Sequence, residues 1–384
     1  MKWSVISIFI LLFLLFGVLP RASEMWMNRV AQDKLIPVTD AAQLLHYDLI
    51  ISDLHADSLL FGRNLTVRGY RGHLDLPRMR RGGIDLQAFS VVTKTPRGLN
   101  YEKNSSDSDN ITLVAFFGLW PPRTWFCLRE RALYQAGRLQ HLADDPDHHF
   151  MMVRSVADLD DFKKRRVKDP ELLAGWLGME GAHPFEGKIE NVQTMYDAGY
   201  RYIGLVHFFD NDVAGSAHGE IKGGLTPFGR DLVKQLEARN MIIDLAHSSP
   251  QTVDEVIAMA TRPLLVSHTG LRGNCDNQRN LSDDRARAIA AKGGLIGIGF
   301  WEAAVCGSDA RAIAKTIHYA VNVVGEDHVA LGSDFDGATT VPFDAGNMVQ
   351  LTQALLDEGL SPEVIHKVMG DNVMDFLRAN LPKK

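Results

Sequence analysis

From residue 48 onward the chain repeats one pattern: a short β-rich apolar run, then a stretch whose apolar positions recur at helical spacing. Eight runs fit, at 48–53, 85–92, 173–179, 202–206, 241–245, 263–267, 294–299 and 328–333. Helices are predicted over 227–238, 249–260, 282–292, 310–324 and 347–357, several opened by Ser, Asp or Pro as start signals. Strands alternating with helices imply βαβ units and a parallel sheet. Eight such units, over about 330 residues, fit a (β/α)8 TIM barrel better than an open doubly wound sheet, whose first turn would carry a glycine-rich phosphate loop. No G-x-G-x-x-G or Walker loop follows any of the eight runs.

Three segments fall outside the repeat. Residues 3–19 (WSVISIFILLFLLFGVL) are almost wholly apolar, with Lys2 before them and Arg21 after. They read as a signal peptide or N-terminal membrane anchor over 1–23, which leaves 24–384 as one exported or tethered domain, periplasmic, extracellular or membrane-anchored. The second segment is an insertion near 93–126, polar and turn-rich to residue 110 and apolar over 111–120 (ITLVAFFGLW). Its apolar part is too short to span a bilayer, so it is expected to cover the barrel mouth, with membrane-surface or dimer contact as the alternative. The third, 361–380, reads as a C-terminal helical extension, a pair packing outside the barrel.

Composition narrows the chemistry. With 41 Lys+Arg against 47 Asp+Glu the formal charge is −6, against the basic excess that a nucleic-acid partner calls for. Cys127, Cys275 and Cys306 are the three cysteines, and none forms a C-x-x-C pair. Any metal must be held by histidines and carboxylates.

Such residues stand where a barrel would use them. Catalytic groups of a (β/α)8 barrel project from the C-terminal ends of its strands. Six runs end in them: Asp53, His55 and Asp57 after the first, Glu180 and His183 after the third, His207 after the fourth, His247 after the fifth, His268 after the sixth, and Asp334 with Asp336 after the eighth. His55 and Asp57 lie two apart on an extended segment, so both side chains face one way. Nitrogen and carboxylate ligands without thiolate suit catalytic zinc. A single catalytic zinc takes about three protein ligands, so five candidates (His55, Asp57, Glu180, His247 and His268) imply two Zn2+ per chain, with Glu180 bridging. Two metals so bridged deprotonate a shared water near neutral pH. Asp53, His183 and Asp244 are candidates for orienting the ligands, and Asp336 for a structural turn. His46, His73, His141, His148, His149, His218, His318, His328 and His366 have no strand-end placement and read as surface or packing residues.

The strings Asp-Leu-His-Ala-Asp (53–57), Gly-Met-Glu-Gly-Ala-His (178–183), Ile-Asp-Leu-Ala-His (243–247), Ser-His (267–268), Arg-Asn-Leu-Ser-Asp-Asp (279–284) and Gly-Ser-Asp-Phe-Asp-Gly (332–337) together resemble the membrane dipeptidase, or renal dipeptidase, family. The resemblance extends over most of 48–377. It implies a binuclear zinc barrel of the metal-dependent hydrolase type that cleaves dipeptides through a metal-bridging hydroxide, and a homodimer. Carried over residue by residue, His55 and Asp57 would bind one zinc, His247 and His268 the other, and Glu180 both. His207 would face the substrate carbonyl and its oxyanion, Arg279 would pair with the free α-carboxylate, and Asp334 would carry the proton from water to the leaving amine.

One departure concerns specificity. The family's pocket tyrosine after the seventh strand is replaced here by Phe300-Trp301. Cys275 and Cys306, in the loops after the sixth and seventh strands, are expected to form a disulfide, as fits an exported relative, with Cys127 free. Four sequons occur, at Asn64, Asn104, Asn110 and Asn280. The metal site alone does not name the scissile bond, so another binuclear amidohydrolase, acting on lactones, β-lactams or N-acyl amino acids, is the alternative. A binding protein on a retired barrel would lack ligands, and none of the five is missing.

Overall fold

The computed structural model describes residues 2–31 and 34–384. All eight apolar runs form strands: β1 (Ile51–Ala56), β2 (Ile84–Phe89), β3 (Leu173–Met179), β4 (Tyr200–Gly204), β5 (Ile242–Asp244), β6 (Leu265–Thr269), β7 (Leu295–Ile298) and β8 (Val329–Leu331). Each pairs in parallel with the next, and β8 returns to β1, closing a (β/α)8 barrel. The strands are buried on both faces, which is why their sequences read as continuous apolar runs rather than alternating ones. The periodicity did not reveal the short strand Phe150–Met152, which pairs with the first residues of β3.

Leu54, Leu86, Trp176, Tyr202, Ile242, Leu265, Leu295 and Ala330 fill the barrel interior. Val373, Met374, Phe376 and Leu377, from the helix Asn372–Asn380, join the same cluster. Residues 362–380 thus run as one helical path with a π turn at Lys367–Asp371 and close the bottom of the barrel, rather than packing outside it as a pair. Gly370 permits this, since a Cβ there would collide with the carbonyl of Ile50. The outer helices begin on the expected caps: Thr226, Ser249, Asp309 and Ser361 each accept a backbone N–H three residues on.

The insertion carries the helix Ile111–Phe117 and is organised by buried Arg131, which donates to Thr93 O (2.7 Å), Asp109 Oδ2 (2.6 Å), Thr124 O (2.7 Å) and Trp125 O (2.5 Å). The N-terminal segment is helical from Lys2 to Met27, with a π turn over Phe13–Val18. Its Phe9–Met27 portion is long and apolar enough to cross a membrane, and is almost unburied. At its foot Glu24 is buried and ion-paired with Arg63 and Arg71, while Arg29–Val30 pair with Thr340–Val341. Cys275 and Cys306 form the expected disulfide, and Cys127 is free. Of the sequons, Asn104 and Asn280 are buried.

Candidate active site

The six strand ends converge at the barrel mouth. His55 and Asp57 come from the end of β1, Glu180 follows β3, His207 follows β4, His247 follows β5, His268 lies in β6 and Asp334 follows β8. All seven are buried. Glu180 is central. Its Oε2 lies 3.6 Å from His55 Nε2, while its Oε1 lies 2.9 Å from His247 Nε2, 3.3 Å from His268 Nε2 and 3.4 Å from His207 Nε2. His55 Nε2 is also 3.6 Å from Asp57 and 4.0 Å from Asp334. Three donor groups are compact enough to hold a cation: His55 with Asp57 and Glu180, Glu180 with His207 and His247, and His55 with His268 and Asp334. The geometry thus brings His207 as close to Glu180 as His268.

Local irregularities aim these side chains. The register of β1 against β2 shifts between Asp53 and Ala56, and that of β6 against β7 between Val266 and Thr269. Bulged strands re-aim side chains near sites, so Leu54 fills the interior while His55 turns into the mouth, and consecutive Ser267 and His268 both bear on it. His247 and Asp334 have left-handed backbone, with φ of 63° and 61°, a conformation that costs a non-glycine residue energy and persists where the surroundings impose it. Gly337 completes the turn after β8, where a Cβ would strike the Asp334 carboxylate.

A hydrogen-bonded layer lies beneath. Ser267 Oγ donates to Asp244 Oδ2 (2.6 Å) and lies 2.9 Å from His268 Nδ1 and 3.3 Å from His55 Nδ1, so one serine orients two imidazoles. Asp53 accepts from Ser333 N, Ser333 Oγ and Gln87 Nε2, each at 2.7 Å, and ties β8, β1 and β2 together. Asp336 accepts from Ser58, Arg63 and the His73 N–H, a structural role at the foot of the N-terminal helix. His183 does not join this layer. Its ring stacks on Phe209 at 4.6 Å, both of its nitrogens lack partners, and burial pushes it down to about 3.

Burial lowers His207, His247 and His268 well below the ordinary histidine range, which keeps them neutral, the form that donates a lone pair to a metal. Burial also acts against charged His55, but Glu180 and Asp57 outweigh it and raise its pKa. Burial raises Glu180 and Asp334, and the neighbouring carboxylates add to that rise. Positive charge among these groups would relieve their mutual repulsion.

A cavity of about 470 Å³ opens over the cluster. Arg279 reaches it from the loop after β6, donating to His268 O (2.9 Å) and stacking 5.2 Å over Trp301. Tyr101 and Leu99 of the insertion, Phe208, and Trp26 and Met27 of the N-terminal helix also line it. None of these five carried a chemical signal in the sequence. Ser267, by contrast, could have been found from its place directly before His268.

The membrane dipeptidase (peptidase family M19) model matches residues 39–381. A Klebsiella pneumoniae protein, described as an uncharacterized protein in the pqqA 5' region, is 33% identical over 267 residues, covering 65% of this chain and 92% of its own length. Dipeptidase aclJ of Aspergillus oryzae is 27% identical over 402 residues, 98% of this chain and 88% of that one. A Rhodobacter sphaeroides metallo peptidase, solved with a phosphinate mimic of the dipeptide L-Ala-D-Ala, superposes with a TM-score of 0.71 at 24% identity, over 87% of this chain and 100% of that one. The probable dipeptidase PvdM of Pseudomonas aeruginosa gives 0.75 at 21%, over 88% and 97%, and both structures share the barrel fold. Since the family model spans nearly the whole barrel and its C-terminal closure, the chain belongs to the membrane dipeptidase family, peptidase family M19, and is a metallo-dipeptidase.

Proposed function

We propose that the chain hydrolyses the peptide bond of dipeptides with two zinc ions held by His55, Asp57, Glu180, His247 and His268. The observation that carries this reading is the split of Glu180, one oxygen toward His55 and the other toward His247 and His268. The donor set fits zinc: it is nitrogen and carboxylate only, and buried His55 Nε2 and Asp57 Oδ1 have no hydrogen-bond partner. The Nε2 atoms of His247 and His268 lie 3.0 Å apart and 2.9 and 3.3 Å from Glu180 Oε1, close enough for the three to share one cation. Zinc bound there supplies an acidified water and polarises the scissile carbonyl.

The remaining work falls to side chains. Arg279, buried and oriented by His268 O and Trp301, presents its planar fork to the α-carboxylate of the dipeptide. His207, kept neutral, donates one N–H to the carbonyl oxygen as negative charge develops on it. Asp334 takes the proton of the attacking water on a carboxylate oxygen and returns it to the leaving amine.

The test is Arg279→Ala. Loss of a charge-assisted contact worth about 1.5–3 kcal/mol should raise KM for free-carboxylate dipeptides about 10- to 100-fold and leave C-terminally amidated ones nearly unchanged. Equal losses on both would remove the carboxylate role. Metal analysis should find two zinc ions per chain, with activity lost on chelation and regained on readdition. Turnover of lactones, β-lactams or N-acyl amino acids but not dipeptides would overturn the substrate assignment. The reading includes a homodimer, checked by the mass of the detergent-solubilised particle, and a retained tether through residues 3–19. Supporting the tether, Phe16 of the apolar run packs its ring on Phe116 and Phe117 of the insertion, so the run itself contacts the folded domain.

A further inference from the structure

We propose that the barrel mouth sits against a lipid bilayer, seated there by the N-terminal helix and the insertion helix Ile111–Phe117 acting as one collar. The proposal rests on the reading of residues 3–19 as a tether and goes beyond it, because a tether alone leaves the catalytic domain free to face any way.

Depth is the first argument. Arg21 and the ion-paired Glu24 put the water-side end of the apolar run at Leu19 rather than at Met27, and at 1.5 Å per residue Phe16 lies about 4.5 Å inside that end. The rings of Phe116 and Phe117 rest on Phe16, with centroids 5.8 and 5.7 Å away. Side chains touching a residue at that depth lie at the boundary between acyl chains and headgroups. If the helix crosses the bilayer, the insertion helix must be at its surface.

The exposed side chains of the collar suit that position. Leu119 is 69% exposed, Trp26 70% and Leu113 46%, an apolar cost in water that the interfacial layer removes. Tryptophan at the foot of an apolar helix is a typical interfacial anchor. A bilayer is favoured over a second copy of the chain as the occupant because the collar is continuous with the apolar helix itself, which almost nothing in the domain covers.

The foot of the helix transmits the orientation. Glu24 pairs with Arg63, Arg63 with Asp336, and Asn28 Oδ1 accepts the Ala338 N–H (2.9 Å), so the helix is fixed to the loop that carries Asp334. Trp26, Met27, Ile111 and Val114 line the same cavity as Glu180 and Asp334. The cavity therefore opens beside the collar, and dipeptides would enter along the membrane surface. The opposite end of the barrel, marked by exposed Val167 next to the Arg166–Asp85 pair where β2 begins, would face away.

Full-length protein in phosphatidylcholine liposomes tests the seating. In a Cys127→Ser background, single cysteines at Phe9, Leu113, Leu119 and Val167 would carry an environment-sensitive fluorophore, with nitroxide lipids as quenchers. The labels at 113 and 119 should lose about half their emission to a nitroxide near the top of the acyl chain, and the label at 167 none. Quenching at 9 without quenching at either 113 or 119 would overturn the seating and leave the tether standing. No quenching at 9 by a nitroxide near the end of the acyl chain would remove the tether and the seating with it.

Discussion

The barrel mouth and the collar differ in how their residues were brought together. At the mouth, seven buried polar residues come from the ends of six of the eight strands, so the closing of the sheet assembles them. At the collar, residues 16–30 meet residues 111–120 and 336–341 through a few ring contacts, one chain of ion pairs by way of Arg63, and a two-residue strand pairing. A site on strand ends is positioned by the hydrogen bonding of the whole barrel, and a contact between separate segments by its own few partners. The mouth should therefore lose chemistry before stability when it is altered, and the collar the reverse.

Glu180→Gln tests the first half of this contrast and carries the largest expected effect. The substitution keeps shape and removes the charge between the two donor groups, so hydrolysis should fall about 10³-fold or more, equivalent to about 4 kcal/mol. Bound metal should fall with it while the thermal transition moves little. A variant that retains two metal ions and wild-type kcat would break the assignment of Glu180 to the metals.

Glu24→Ala tests the other half. It leaves Arg71 without its buried carboxylate partner and Arg63 with Asp336 alone, so stability should drop by about 3 kcal/mol, at the lower end for breaking a buried pair. A lowered urea midpoint, with kcat/KM on soluble dipeptides changed only slightly, is the expected result. A collapse of activity as deep as that of Glu180→Gln would mean that the two regions are not separable.

How much of each region could be read from sequence follows the same division. The eight strands and the residues ending them were legible because apolar runs fully buried in a parallel barrel repeat with few interruptions, and their ends are marked by His, Asp and Glu. Bulges were not legible: a one-residue shift in register reverses which face a side chain takes, and no residue type in β1 or β6 announces it. His183 shows the cost, since a histidine three residues beyond Glu180 looked like a partner of the ligands and instead stacks on Phe209. Tyr101 and Trp26 lay in segments with no period to place them, and their position at the cavity depends on contacts from distant parts of the chain.

Ser267→Ala sharpens the picture within the mouth. The hydroxyl links Asp244 to His55 and His268, so its loss frees two rings that remain in place by packing. Metal affinity should weaken about 10- to 100-fold, as is usual for removing the hydrogen-bond partner of a metal-binding side chain. Competition with a chelator would read this directly, and an unchanged affinity would show that the bulge in β6 alone fixes the rings.

The smallest effect bears on where the two regions meet. Tyr101 belongs to the insertion, yet its ring stacks at 6.0 Å on Phe208 and its carbonyl is held by His218 at 2.8 Å. Burial raises the pKa of its phenol, with Arg279 acting against that rise and Asp334 adding to it, so the group stays a protonated donor beside both residues. It thus supplies a hydroxyl to a pocket whose seventh strand is followed by Phe300-Trp301. Tyr101→Phe deletes one neutral hydrogen bond, worth about 0.5–1.5 kcal/mol, and should lower kcat/KM on dipeptides roughly 2- to 10-fold. The kinetic form of the loss identifies the partner. A rise in KM confined to free-carboxylate substrates would join Tyr101 to Arg279 in holding the α-carboxylate, whereas a fall in kcat on amidated substrates as well would join it to Asp334 and the proton. An unchanged kcat/KM would make the insertion a wall of the cavity and nothing more, and would restore the clean separation between a mouth that does chemistry and a collar that positions it.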